Sequence, residues 1–252
     1  MGLALEVINI TKLFGSLRAV DDVSVGVDEK SVTILIGPNG SGKTTLVNVI
    51  SGLYRPDSGK VVYQGKDITN LPPHKVYMEG IARTFQIPTL FWKLSVLENV
   101  LVAKRGNPGE RFVSSLFKRS WMKVEKEAAE DAFKLLQLVG LFEVWDKPAE
   151  SLSGGQMKLL EIGRCLMSGA KMLLLDEPIS GVNPTLAHEI FDKLVRLKVE
   201  FGVTFFIIEH RLDIALAYVD SVVAMAFGKL IAAGDPEVIM ADQRVIDSYL
   251  GG

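Results

Sequence analysis

An α/β core carrying an inserted helical lobe is the fold class that this 252-residue sequence predicts. Two observations carry it. Three nearly continuous apolar runs, SVTILIG (31–37), KMLLLDEP (171–178) and VTFFIIEH (203–210), read as strands covered on both faces. The second and third end in ionisable residues at the carboxyl edge, where open α/β sheets bind ligands. Between them, residues from about 88 to 160 carry helical rather than strand periodicity.

The elements follow in order. In VDDVSVGVDEK, Val23, Val25 and Val27 alternate with small or polar residues, the pattern of a half-buried strand. KVVYQGKDI reads as another strand with Gly65 at a turn. Ser95 and Glu98 form an S-x-x-E capping box ahead of NVLVAK. From Met122 to Val139 the apolar positions keep a helical period, and Gly140 ends it. Ser153 and Gln156 of SLSGGQMKLLEIG form a second box, which opens a helix whose N-terminus suits phosphate. Asn183 and Pro184 start the next helix as N-cap and first helical residue. SVVAMAF and KLIAAG form a hairpin through Phe227 and Gly228, followed by a short C-terminal helix. The whole is one domain over 1–252, with a core from about 1–87 and 161–252 and a helical subdomain from about 88–160.

Composition narrows the function. With 28 basic against 30 acidic residues the formal charge is −2, which argues against a general nucleic-acid binder. The single cysteine, Cys165, leaves no intrachain disulfide, fits a reducing compartment, and sits beside Leu166 and Met167 as a helix position facing inward. MGLALEVINITK lacks the basic-then-apolar order of a signal peptide, and no run reaches the roughly 20 apolar residues that span a bilayer. Segment 103–121 mixes Lys104, Arg105, Arg111, Lys118 and Arg119 with Phe112, Phe117 and Trp121; it reads as a solvated loop or as a contact for a membrane partner or lipid headgroups.

The chemistry concentrates in a few motifs. GPNGSGKTT (37–45) fits G-x-x-x-x-G-K-[ST] between an apolar strand and the helix LVNVI. Its glycines let backbone N–H groups face phosphate oxygens, Lys43 offers charge to β and γ phosphates, and the Thr44 hydroxyl suits Mg²⁺. In LLLDEP, Asp176 ends a buried strand where it would join the Mg²⁺ shell. Glu177, reoriented as the chain leaves the strand, would polarise an attacking water. His210 closes VTFFIIEH at the same edge. Gln86 in RTFQ offers an amide to that water or to Mg²⁺.

Taken together, GPNGSGKTT, Gln86, LSGGQ, LLLDEP and His210, in this order, resemble the ATP-binding-cassette (ABC) ATPases from about residue 5 to the C-terminus. The resemblance implies a P-loop NTPase (RecA-like) core with an N-terminal antiparallel β subdomain and an inserted α-helical subdomain. It implies ATP and Mg²⁺ as cofactors. Phe14 would stack on adenine, with Val20 beside the nucleotide; Gly37, Pro38, Asn39, Gly40, Ser41, Gly42, Lys43, Thr44 and Thr45 would bind the triphosphate. Thr44, Gln86 and Asp176 would hold the metal, and Glu177, His210 and Gln86 would be catalytic. Ser153, Gly154, Gly155 and Gln156 would complete the site of an opposite cassette, so the chain would act as half of a pair.

Within the family, IARTFQIPTLFWKLSVLENV, EIGRCLM, IIEHRLD and VIDSYLGG look most like the branched-chain amino-acid importer group. That likeness implies a second ATPase subunit, sister or identical, together with transmembrane permease subunits and, indirectly, an extracytoplasmic solute-binding protein. It also implies a peripheral place on the cytoplasmic face of the membrane. Phe91, Trp92 and Leu94 would line the docking groove. Urea or amide importers, a lipopolysaccharide exporter and a cassette of iron–sulfur cluster assembly are the alternatives. One departure stands out: Asn183 in SGVNP replaces the family's usual Asp, which keeps the capping oxygen and removes a charge.

Overall fold

The structure is a computed structural model whose described residues are 2–106 and 118–250, with backbone alone at 118–120 and 250. Arg111, Phe112 and Phe117 of the mixed basic–aromatic segment lie outside the described residues, as do the side chains of Lys118 and Arg119. The chain forms two compact units, one from Met1–Gln86 with Lys171–Gly252 and the other from Ile87–Ala170.

The first unit contains two sheets. Strands β1 (Leu3–Phe14), β2 (Leu17–Asp28), β4 (Ser58–Tyr63) and β5 (Lys66–Asp67) form an antiparallel sheet in the order β2-β1-β4-β5. The valine alternation of β2 is realised: Val23, Val25 and Val27 face inward, and Asp22, Ser24 and Gly26 face out. The second sheet has the order β10-β9-β3-β8-β7-β6. Its members are β3 (Val32–Ile36), β6 (Ile81–Arg83), β7 (Met172–Asp176), β8 (Thr204–Ile208), β9 (Ser221–Ala226) and β10 (Lys229–Gly234). All its neighbours run parallel except the β9–β10 hairpin. The three apolar runs are the central strands β3, β8 and β7, and β3 and β8 are buried along their whole length. Being parallel, they all present their carboxyl ends along one edge.

Helix α1 (Lys43–Ile50) lies in the core between the two sheets. Its Leu46, Val47, Val49 and Ile50 share one apolar cluster with Val20, Val23 and Val27 of the antiparallel sheet and with Leu35, Leu174, Phe206 and Val223 of the parallel one. The start of α1 is therefore held from both sides. Helix α2 (Pro73–Glu79) precedes β6. Both elements escape a periodicity search because they are short, and β6 exists only through its pairing with β7.

The second unit is helical: α3 (Val96–Leu101), α4 (Lys118–Val139), two 3-10 turns (Phe142–Val144 and Ala149–Ser151) and α5 (Gly154–Met167). The expected capping box of α3 is present in both directions between Ser95 and Glu98. Buried Asn99 ties the preceding turn together, accepting from Phe91 N–H at 2.9 Å and donating to Phe91 O and Leu94 O. Helix α4 ends at Gly140, whose φ of 73° supplies the left-handed turn expected there. The sequence places the return to the core at about residue 161, but α5 runs unbroken through that position. The chain re-enters the first unit at Lys171 instead.

The remaining helices belong to the first unit: α6 (Pro184–Phe201), α7 (Leu212–Ala215), α8 (Pro236–Met240) and α9 (Gln243–Leu250). Asn183 caps α6, its Oδ1 accepting from Leu186 N–H at 2.9 Å. The single C-terminal helix of the sequence reading is two, because the chain turns at Asp242.

Candidate functional site

The loop between β3 and α1 is shaped by glycine. A Cβ at Gly37 would sit 2.0 Å from the Met225 carbonyl oxygen, and one at Gly42 would sit 2.3 Å from that of Ala19. Gly42 has φ 98° and caps α1 without any side-chain hydrogen bond. The helix start therefore keeps its amides directed outward with the positive end of its dipole, an arrangement suited to an anion.

Lys43, buried at the first position of α1, folds its ammonium back over this loop. It donates to Gly37 O at 2.8 Å, to Pro38 O at 2.9 Å and to Ser41 Oγ at 3.3 Å. Burial lowers its pKa, and the fields of Glu177 and Asp176 oppose that shift. Two carboxylates thus face the cation from the end of β7.

Asp176 is the last residue of β7 and pairs with Arg83 Nη2 at 3.3 Å. Arg83 also donates to Asn48 Oδ1 and to Ser51 Oγ, and its guanidinium lies 5.3 Å from the centre of the Phe85 ring. Sequence reading missed this arginine; its one signal is a cation inside the otherwise apolar IAR strand.

Glu177 has a φ of 49°, a left-handed conformation costly for a residue with a side chain. Its N–H still bonds Ile208 O at 2.9 Å, so the backbone turns off the strand while remaining anchored to β8. That turn, expected from the sequence, brings its carboxylate to the carboxyl edge. Gln86 Nε2 donates to Glu177 Oε2 at 3.1 Å, and His210 Nε2 stands 3.5 Å from Glu177 Oε1.

Lys43, Glu177 and His210 line a cleft of about 560 Å³. The phosphate loop from Asn39 to Thr45 forms its floor, Glu177 and His210 one wall, and Phe14 another. Phe14 is half exposed and packs edge-on against Tyr54, with ring centres 5.4 Å apart. Val20 is placed elsewhere: it is fully buried in the core, and its neighbour Ala19 lines the cleft, because successive strand residues point to opposite faces. Leu17 and Arg18 also line it, as do Phe227 and Gly228, which the sequence indicates only as a hairpin turn. Gly228 at the hairpin tip reaches the loop by donating to Ser41 O at 3.1 Å, which leaves Phe227 81% exposed at the cleft. From α9, burial raises the pKa of the Tyr249 phenol, and the Gly37 backbone opposes the rise.

Ser153, Gly154, Gly155 and Gln156 belong to the second unit and open α5 there. Ser153 N–H donates to Gln156 Oε1 at 2.9 Å, and Gln156 N–H donates to Ser153 Oγ at 3.4 Å, the reciprocal box the sequence indicates. In the same unit Phe91 and Trp92 are exposed, and the Arg164 guanidinium lies 5.0 Å from the Phe91 ring centre.

A family model described as ABC transporter matches residues 20–180, well over half of the chain. The chain belongs to the ABC transporter family. It is an ATPase cassette of that family, and its fold is that of the P-loop nucleotide hydrolases. A second model, described as branched-chain amino acid ATP-binding cassette transporter, matches residues 229–252 of the cassette. The cassette is 50% identical over 247 residues to a probable branched-chain amino acid transport ATP-binding protein LivG of Archaeoglobus fulgidus, covering 98% of this chain and 95% of that one. It is 39% identical over 248 residues to the high-affinity branched-chain amino acid transport ATP-binding protein BraF of Pseudomonas aeruginosa, covering 98% and 97%. Among solved structures, a nucleotide-free ATP-binding cassette from an ABC transporter superposes with a TM-score of 0.84 at 47% identity over the whole of both chains. The ADP conformation of an ATP-binding cassette of an ABC transporter gives 0.86 at 46%, also over the whole of both.

Proposed function

We propose that this cassette hydrolyses ATP with Mg²⁺ as half of a pair, sister or identical, and so powers the import of branched-chain amino acids through transmembrane permease subunits. A solute-binding protein outside the membrane would deliver the cargo. The names of the full-length relatives and the C-terminal family match support this solute class. The cassette would sit peripherally on the cytoplasmic face of the membrane; no described helix is long and apolar enough to cross one. The exposed Phe91 and Trp92 suit an apolar permease helix.

The chemistry runs at the end of β7. The triphosphate takes the loop amides and draws Lys43 from its backbone acceptors onto the β and γ oxygens, while Phe14 stacks on the base. Glu177 accepts a proton from water as that oxygen bonds the γ phosphorus and the bond to the β–γ bridging oxygen breaks, releasing ADP and phosphate. His210 donates a hydrogen bond toward the γ-phosphate, and Gln86 holds the second carboxylate oxygen of Glu177. The Thr44 hydroxyl, the Asp176 carboxylate and the Gln86 amide oxygen would hold Mg²⁺. The fit lies in the donor set: they are hard oxygens too few to cage a metal alone, and Mg²⁺ keeps waters and phosphate oxygens in such sites. Among the described residues no cluster of three His, Cys, Asp or Glu offers a competing cage. The metal supplies charge neutralisation for the leaving and transferred phosphates.

The observation that carries this reading is that Glu177 lines the phosphate-loop cleft beside His210, 3.5 Å away, while Gln86 bonds its other oxygen at 3.1 Å. Glu177→Gln is expected to lower turnover by about 10²–10⁴-fold while ATP binding persists, since the lost group is a general base. Turnover within about twofold of the parent would remove Glu177 from the mechanism. Co-purification with membrane subunits, followed by ATP-driven leucine uptake in proteoliposomes, tests the solute.

A further inference from the structure

Glu209, between β8 and α7, is a carboxylate only 2% exposed that the hydrolytic scheme does not use. Burying such a group demands hydrogen-bond partners, and its partners are backbone amides. Oε2 accepts from His210 N–H at 2.8 Å and from Arg211 N–H at 3.2 Å, while Oε1 accepts from Ile179 N–H at 3.1 Å. One oxygen therefore holds the turn that carries His210, and the other holds the loop two residues beyond Glu177. A second tie runs parallel: Arg211 Nη1 donates to Val182 O at 3.2 Å. The residues on either side of His210 thus grip the loop from Glu177 to Asn183 at two points, Ile179 and Val182. The Glu177 backbone is itself anchored to Ile208, the residue before Glu209.

We propose that Glu209 is a positioning residue that locks the Glu177 turn and the His210 turn into one rigid piece, with Arg211 as a second latch on the same loop. The inference rests on the reading of Glu177 and His210 as the hydrolytic pair. The left-handed backbone at Glu177 needs such external support, because strained conformations persist only where surroundings hold them. The bridge requires an acceptor on both oxygens. A glutamine of the same size keeps one oxygen, and its NH₂ group then confronts an amide N–H on the other side. Glu209→Gln therefore cuts the bridge while preserving volume.

The test is steady-state ATP hydrolysis by the full chain with thermal melting alongside. Glu209→Gln is expected to lower kcat by about 10- to 100-fold, with KM for ATP changed less than about twofold, as for loss of alignment rather than of binding. Arg211→Met should lower kcat by a smaller factor, roughly three- to tenfold. The double variant should fall short of the product of the two, because both ties act on one loop. Should Glu209→Gln fail to fold, Arg211→Met alone carries the test. A lowered melting temperature with unchanged kcat, in either variant, overturns the proposal, since a turn-capping carboxylate of purely structural value predicts that result. Turnover that survives Glu177→Gln overturns the site reading and this inference together. Turnover lost in Glu177→Gln yet intact in Glu209→Gln and Arg211→Met overturns this inference alone.

Discussion

Two helices in this cassette begin with glycine-bearing turns, and they treat their exposed amides in opposite ways. The phosphate loop enters α1 through Gly42, left-handed and without any side-chain cap. The LSGGQ turn enters α5 through Ser153, where Ser153 and Gln156 satisfy two amides between them. An α-helix leaves four such amides unpaired at its start. Leaving them open costs stability that a ligand must return, whereas closing half of them makes a helix end that is stable by itself. In the proposed function the first end binds the triphosphate within its own unit. The second is a finished local structure, consistent with a role that arises when another cassette supplies the phosphate.

The glycines of the two turns break or sharpen this contrast most strongly. Gly42→Ala forces a Cβ to 2.3 Å from the Ala19 backbone oxygen at a φ of 98°, so the loop must shift. ATP affinity, measured by calorimetry, should fall by about 100-fold or more, a loss of alignment at the phosphates. Gly154→Ala meets no atom within 4 Å and has ordinary helical geometry. It should raise stability by about 0.5–1 kcal/mol, leave ATP binding by the monomer intact, and still abolish turnover if a partner cassette uses this turn. Full turnover in Gly154→Ala would break the comparison.

Ser153→Ala should cost about 1 kcal/mol in a denaturant melt through loss of the cap. Monomer ATP affinity should stay unchanged, and a fall in that affinity would contradict the assignment of the turn to a different site. The smallest effect concerns the far end of α5. Burial pushes the Cys165 thiol up to about 12, Glu161 adding to the shift and Arg164 opposing it. Cys165 is half-buried, and at pH 8 its thiol stays protonated. Alkylation of the folded protein, followed by mass spectrometry, should therefore be far slower than that of the unfolded chain.

Much of the site was legible because its rules are local. The phosphate-loop glycines follow from steric need, Ser95 and Ser153 as N-caps follow from a Glu or Gln three residues on, and Asn183 follows from the proline after it; all three caps are realised. Legibility ended where strand facing or distant pairing decided the outcome. Val20 and Ala19 differ only in which side of β2 they face, and the core claimed the former. Arg83 and Asp176 are 93 residues apart and meet only because β6 pairs with β7. A buried glutamate inside an apolar strand–histidine motif gave no sign that it would bridge 30 residues back to Ile179.

The sequence by itself determined the family, the phosphate loop, the helix starts and the strand ends that carry Asp176, Glu177 and His210. Each depends on residue types at short fixed spacing, where backbone geometry leaves few choices. The tertiary structure alone decided that Gln86 reaches Glu177 across 91 residues, that the β9–β10 hairpin tip joins the cleft, and that Glu209 bonds both the His210 turn and the Ile179 amide. Those meetings depend on the order and register of the strands in the sheet. Packing over the whole core sets that order, and no short stretch of chain encodes it.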